Sequence, residues 1–576
     1  MFLLLRWIVT SGFSITTLCC LALTTVAQST PPEGVKIPPT TPDIIEQTIP
    51  KPSQSPSRVP AESHTLPPKL IPTPTPQPPA VNSAPISERF LVKKVEVLGN
   101  TVLQVEIAAL IKVFNNRETT FEELIGLRSA ITALYIENGY ITSGAFLLNN
   151  QSLSNGVVQI QIVEGELERI EINGLKRLQE GYVRNRIAIA ATKPLNRQRL
   201  EAALQLLQID PLLERVNAEL ISGSTPGRNI LQVRLKEAPA FHAGVVTENR
   251  QSPSVGSVQT ALFVAHDNLL GFGDRLSAEY GITSGLNTYD INYEIPLNAR
   301  NTRLNLRYGN SDSRIIEQPF TDLDIESDTR TLSLGLRQPL VRTPERELGL
   351  GLALDLRRSQ TFLLDDIPFS FSEGAEDGES KVSVIRFSQD WVERRARRVL
   401  AARSQFSIGV DALGATINDT GTDGRFFSWL GQFQWVQQLS PRIVIVARID
   451  TQLTPSSLLT LEQFSIGGVD TVRGYRQNQL IADNGILGSV EVRLPLTSNP
   501  NVLQIAPFFD IGTVWNNQDP DPDPATIASL GLGLRWLISQ DLSVRLDYGI
   551  PLIGIDNQGN SLQDEGFHFS LRYQPF

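Results

Sequence analysis

The chain has 576 residues, 41% hydrophobic and 19% charged, with 41 Gly, 37 Pro and only two Cys. This composition excludes global disorder, and the length predicts about three or four domains. Two cysteines exclude a disulfide scaffold, the scattered His64, His242, His266 and His568 leave little for a histidine metal cluster, and a net charge of −10 argues against a nucleic-acid binder. No cofactor, metal site or catalytic set is expected.

Residues 1–27 read as a secretory signal. Arg6 gives a positive start, an apolar stretch follows, and Thr25-Val26-Ala27 ends in a small residue before Gln28. A retained membrane anchor is the alternative, because the apolar stretch approaches about 20 residues. Cys19 and Cys20 both lie in this segment, so a cleaved chain has no thiol to trap it during export. Beyond it no uninterrupted apolar run reaches the ~18 residues of a membrane helix, so any crossing must use strands. Residues 28–89 form a Pro-rich linker, with 17 of the 37 prolines falling within 31–88. Proline fixes φ and lacks an N–H, so the segment is expected to be extended and coreless. It is a spacer, or else a proline ligand for a groove-type partner.

From Phe90 a pattern occurs twice. Val95-Glu-Val97 runs to Gly99-Asn100, and Ile170-Glu-Ile172 runs to Asn173-Gly174. Helical material follows each. Thr120-Phe-Glu-Glu123 has capping-box spacing ahead of Leu124, Leu127, Ile131 and Leu134, and Leu200, Leu204 and Leu207 follow Asn196. Alternating strands close each copy, through Val158, Ile160 and Ile162 and through Leu231, Val233 and Leu235. The order strand, helix, helix, strand, strand resembles the polypeptide-transport-associated (POTRA) fold, expected at 90–165 and 166–238. The open edges of such small sheets suit strand addition by an extended client, although they can also be plain protected edges.

From about 239 to 576 strict alternation replaces helical periodicity. Leu348 to Leu356 places Leu at every second position, and Leu542, Val544, Leu546, Tyr548 and Ile550 face away from Ser543, Arg545, Asp547 and Gly549. Sixteen strands are predicted, beginning near 241, 258, 274, 287, 302, 329, 348, 381, 400, 426, 442, 481, 502, 526, 541 and 567. Alternation alone does not say which face is the core. A soluble barrel buries its apolar side, whereas a membrane barrel turns it to lipid and keeps a polar lumen. The export signal, the missing thiols and the even strand count favour the membrane. The fold class is therefore mainly β, with two α/β POTRA modules followed by a 16-stranded antiparallel transmembrane β-barrel. The closing segment ends in aromatic Phe576, as outer-membrane barrels commonly do, and Pro575 predicts a bulge that returns Phe576 to the lipid face.

A long loop, 454–480, separates the eleventh and twelfth predicted strands, and loops of that length are usually functional or disordered. It contains Gly467-Gly468 and Val472-Arg473-Gly474-Tyr475, and the thirteenth strand carries Phe508-Phe-Asp510-Ile-Gly512. Together with the two modules, these motifs resemble the two-partner secretion transporters (TpsB, the haemolysin secretion/activation type) of the Omp85 superfamily. Asn268-Leu-Leu-Gly-Phe-Gly-Asp274 is similar to a recurrent turn of that superfamily. The resemblance implies that the loop-tip Arg folds into the lumen and pairs with the wall Asp, which maps onto Arg473 and Asp510. An unpaired guanidinium there would be costly. Gly474 permits a tight tip and Tyr475 can pack on the wall. An ordinary Gly-containing surface turn is the bland reading. The plug helix of this family has one short candidate, Asp43 to Thr48, hemmed by Pro42 and Pro50.

The resemblance implies an outer-membrane protein with periplasmic modules, inserted by the barrel-assembly machinery. It would export an unfolded partner exoprotein of haemolysin or adhesin type. No Gly-x-x-x-x-Gly-Lys nucleotide loop occurs, so folding of the client outside is the inferred drive. An Omp85-type assembly factor is the nearest rival and a passive porin a weaker one. An enzyme is the weakest reading, since no helix follows Gly349-x-Gly351 or Gly531-x-Gly533.

Overall fold

A computed structural model describes residues 89–148, 151, 155–364, 366–555 and 559–576. The signal segment, almost all of the Pro-rich linker and the candidate helix Asp43 to Thr48 lie outside the described residues.

The first module runs β1 (Phe90–Val92), β2 (Lys94–Leu98), α1 (Gln104–Lys112), β3 (Arg117–Thr119), α2 (Phe121–Glu137), β4 (Gly144–Leu147) and β5 (Val157–Val163). The last strand is central: β5 pairs parallel with β2 and antiparallel with β4. The capping box forms, with Glu123 N–H donating to Thr120 Oγ1 at 3.2 Å and Thr120 N–H to Glu123 Oε2 at 3.3 Å. It aims Leu124, Leu127, Ile131 and Tyr135 at Val158, Ile160 and Ile162. The ribbon of β1 and β3 has no counterpart in the sequence reading, because three-residue strands carry too little alternation.

The second module runs β6 (Glu166–Asn173), α3 (Glu180–Ala190), α4 (Arg197–Gln208), β7 (Leu213–Ser222) and β8 (Arg228–Glu237). Here too the last strand is central, between β6 and β7. Asn196 caps α4 by accepting from Arg199 N–H at 3.2 Å, and Leu200, Leu204 and Leu207 pack with Leu231 and Val233.

One device recurs that the motif search does not reveal. At the end of each central strand a carboxylate gathers the N–H groups of the turn that follows β2 in the first module and β6 in the second. Glu164 accepts from Thr101 N–H at 2.7 Å, Thr101 Oγ1 at 2.6 Å, Tyr135 Oη at 3.0 Å and Val102 N–H at 3.3 Å. Glu237 accepts from the N–H groups of Lys176, Arg177 and Leu178 at 2.6, 2.9 and 3.0 Å. Burial pushes both carboxyls up, but the hydrogen bonds outweigh it and hold them below the ordinary carboxylate value.

The remaining chain closes into an antiparallel barrel of sixteen strands, from Phe241–Glu248 to Phe567–Tyr573. Every predicted start falls within three residues of a barrel strand. The shift at 481 is informative: Leu480–Ala482 belongs to a loop hairpin, and the twelfth wall strand begins at Asn484. The structure also decides which face is the core. Leu332, Leu334, Leu336, Leu352, Leu530, Leu532, Tyr548 and Ile550 are exposed on the outside, while Thr331, Arg357, Arg386, Asp510, Ser529 and Asp547 are buried inside. A soluble barrel would show the reverse, so the outward surface is one that lipid satisfies. Among the described residues no helix is long and apolar enough to cross a membrane. Beyond the last strand Phe576 returns to the outer surface, its ring 6.3 Å from that of Phe241.

Because the folded carboxyl of Glu164 is lowered, its stabilisation is complete above an unfolded value of about 4.3 and is lost as pH falls through the folded one. Hydrogen-exchange protection across residues 90–165 of the full-length protein, taken relative to the intrinsic rate at each pH, is expected to fall on acidification below about pH 4.3. In Glu164→Gln that protection is expected to be lower at neutral pH and to lose much of its acid dependence.

Candidate functional site

Loop 454–480 does not project outward; it folds into the lumen. Its base is the antiparallel hairpin Phe464–Ile466 with Leu480–Ala482. Phe464, Ile466, Val472, Tyr475, Leu480 and Ala482 pack with Leu430, Leu487, Val514 and Ile527 of the wall into an apolar knot inside an otherwise polar barrel.

The loop tip presents Arg473 to the wall, and the three motif positions of the thirteenth strand each meet part of the tip. Phe508, Asp510 and Gly512 share a parity, so all three point inward, whereas Phe509 and Ile511 are exposed outside. Asp510 takes the guanidinium with both oxygens, from Nε at 2.7 Å and Nη2 at 2.9 Å, and accepts from the Arg473 N–H at 3.2 Å. The Phe508 ring lies 3.4 Å beneath the guanidinium, in cation–π geometry. A Cβ at Gly512 would stand 3.1 Å from Ile466 and 3.3 Å from Val472, so glycine leaves room for the loop to seat. Gly474 has φ +93°, and a Cβ there would come within 2.8 Å of the Gly549 backbone. Tyr475 is buried, with its hydroxyl donor and acceptor capacity used on Ala528 O at 2.8 Å, Ile553 O at 2.9 Å and Ile553 N–H at 3.2 Å.

The predicted pair is thus one edge of a larger network. Arg473 Nη1 also meets Glu491 at 2.6 Å and Asp547 at 3.4 Å. Arg535 reaches Glu491 at 3.0 Å and Asp547 at 2.7 Å, and Arg545 reaches Asp547 at 2.6 Å. Sequence reading assigns Arg545 and Asp547 to the lumen face by parity but gives no partner across strands. Gly474 N–H donates to the buried His568 Nε2 at 3.1 Å, a contact that no motif signals.

A second anchor holds the other end of the loop. Glu462 is buried between Arg357 at 2.9 Å and Arg386 at 2.8 Å, on the seventh and eighth strands, and Arg386 also pairs with Asp355 at 2.5 Å. Leu458, Leu459 and Leu461 pack beside it on Val382, Val384 and Phe426. The loop is therefore pinned to the seventh and eighth strands by Glu462 and to the thirteenth by Arg473, and it crosses the lumen between them.

At the opposite end of the barrel, the turn Asn268–Asp274 meets the second module. Gln179 N–H donates to Gly271 O at 2.9 Å, and the backbone of Gly273 lies close under the Tyr182 ring. Arg186 stacks on Tyr182 and donates to Asn301 Oδ1 at 3.3 Å in the next turn on that rim. The turn singled out in the sequence is a seat for the module.

Removing the Glu462 charge leaves two buried guanidiniums short of a carboxylate, a loss of about 3–5 kcal/mol for a buried pair. Glu462→Gln is expected to free the loop base, so that single-channel recordings in planar bilayers show more frequent large openings than the unaltered protein. Unchanged gating would remove Glu462 as an anchor.

Comparison with known proteins agrees with this architecture. The family model described as "Haemolysin secretion/activation protein ShlB/FhaC/HecB" matches residues 227–536, more than half of the chain, and that of the "POTRA domain, ShlB-type" matches 90–165. The outer membrane transporter CdiB of Dickeya dadantii is 25% identical over 80% of this chain and 83% of its own. The heme/hemopexin transporter protein HuxB of Haemophilus influenzae is 21% identical over 84% and 87%. The solved structure of CdiB from Escherichia coli superposes with a TM-score of 0.66 at 23% identity, covering 87% of this chain and 93% of that one. The chain belongs to the haemolysin secretion/activation family of two-partner secretion outer-membrane transporters, within the Omp85 superfamily.

Proposed function

We propose that this protein resides in the outer membrane after signal cleavage, with its two modules in the periplasm, and exports an unfolded partner exoprotein through its lumen. The observation that carries this reading is the loop held across a charged lumen by buried ion pairs at both ends. A solute pore needs no such crossing element, whereas a gate for a chain must close tightly and still release. Ion pairs meet both demands, because water entering the lumen can solvate Arg473 and its carboxylates once the tip withdraws.

The client docks by strand addition in this reading, and the sheet edges differ in what they offer. Edge β4 has four residues, and its Ala145 N–H is already taken by Thr132 Oγ1 at 3.1 Å. Edge β7 has ten residues in the module seated on the barrel, so it presents the longer backbone ladder. The client is of haemolysin or adhesin type in this reading, and the family description names the first of these. Folding of the client outside supplies the direction, and the Phe576 end is the recognition point for the barrel-assembly machinery.

Arg473→Ala and Asp510→Ala each leave buried partners uncompensated, and export of the partner is expected to fall by about an order of magnitude or more. The barrel should remain inserted and heat-modifiable on gels. The measurement is partner protein in the medium of cells carrying each variant. Undiminished export in both would overturn the gating role, and loss of other barrel proteins from the membrane instead would favour an assembly factor.

A further inference from the structure

The wall is not equally paired all the way round. The sixteenth and first strands share four residue pairs, from Ser570↔Glu248 to Tyr573↔Val245. Every other neighbouring pair in the wall shares at least seven. Where this ladder gives out, side-chain amides continue it. Asn249, just past the first strand, donates from Nδ2 to Phe567 O at 2.8 Å, accepts from Phe569 N–H at 2.7 Å, and donates its own N–H to Phe569 O at 3.2 Å. Gln563 is wholly buried behind it and donates to Asn249 O at 2.7 Å and Gln251 O at 2.8 Å.

The third bond of Gln563 goes to the loop tip: its Oε1 accepts from Gln477 N–H at 2.8 Å. Two neighbouring contacts join the same two segments, Arg476 with Asp564 at 3.0 Å and Gly474 N–H with His568 Nε2 at 3.1 Å. Residues 563–568 therefore hold the seated tip on one side and the thinly paired seam on the other.

We infer that Gln563 and Asn249 form a clasp through which the seated Arg473 loop holds the barrel seam shut. Gln563 is a positioning residue. With the tip in place, its amide is fixed with all three bonds made, and it fixes Asn249 as the extra rung between strands. When the tip leaves, Gln563, Asp564 and His568 lose these three partners together, and the four-pair ladder is left with less support. The lumen then gains freedom at its wall as well as at its centre. This coupling is a property of the barrel and does not depend on what passes through it.

The test is hydrogen–deuterium exchange of the full-length protein in lipid nanodiscs, read on peptides covering 243–249 and 567–573, with the fifth and sixth strands as internal reference. Arg473→Ala and Gln563→Leu are each expected to raise seam exchange by about tenfold while the reference stays protected. The double variant is expected to exchange no faster than the faster single, because both act through one amide. Gln563→Asn, which keeps the polarity but shortens the reach, serves if the Leu variant does not insert, with the same expectation. An unchanged seam in Arg473→Ala, or effects that multiply in the double variant, overturns the coupling.

Discussion

A guanidinium removed from bulk water is the constraint on which the rest of this barrel depends. Arg473 is buried at the end of a loop that has to cross a lumen, and its charge is tolerable only where carboxylates and a ring face meet it. Apolar packing alone could hold the loop with many nearly equal registers, since dispersion is non-directional. The two-oxygen grip of Asp510, by contrast, is satisfied in one place. The apolar knot supplies area and the ion pairs supply register, so the seated loop has one position and leaves it as a unit.

That arrangement requires a wall that is polar on its inner side. Alternation along every strand sends leucines outward and Asp510, Asp547, Arg386 and Arg357 inward, so the charged positions converge on the axis while lipid satisfies the outer face. The Phe-x-Asp-x-Gly spacing follows from the same period of two: ring, carboxylate and empty space line up on one face over three inward positions. A shift of one residue would turn Asp510 to lipid and Phe509 to the lumen, which is why strand register and loop seating are a single requirement.

Much of the fold was legible because alternation, capping and turn chemistry are local. Thr120 and Glu123 announce α2, and sixteen alternating runs announce the wall. The three-residue strands β1 and β3 carry no such signal. At the site, the two motifs name Arg473 and Asp510 but not Glu491, Asp547, Glu462 or His568. Those four lie on different strands or at the loop base, and each is an ordinary inward or loop position until closure of the barrel brings it to its partner. A contact made across strands has no spacing in the sequence. The Glu164 and Glu237 clamps were missed for a related reason: a lone carboxylate after a strand becomes informative only when the turn it serves, some sixty residues earlier, is folded beside it.

The two ends of the molecule solve opposite problems with the same kind of interaction. At the module end, backbone groups are tied down within the fold: Glu164 and Glu237 fix the turns after β2 and β6, and Gly271 O takes the Gln179 N–H. These bonds hold short turns whose ends are fixed by paired strands, so the bonded groups stay within reach of one another. At the loop, the bonded groups are almost wholly buried but sit on a segment that crosses the lumen, so their separation exchanges protein partners for solvent. A charge-assisted hydrogen bond is therefore a rivet where strands fix both of its groups and a latch where one of them sits on a loop.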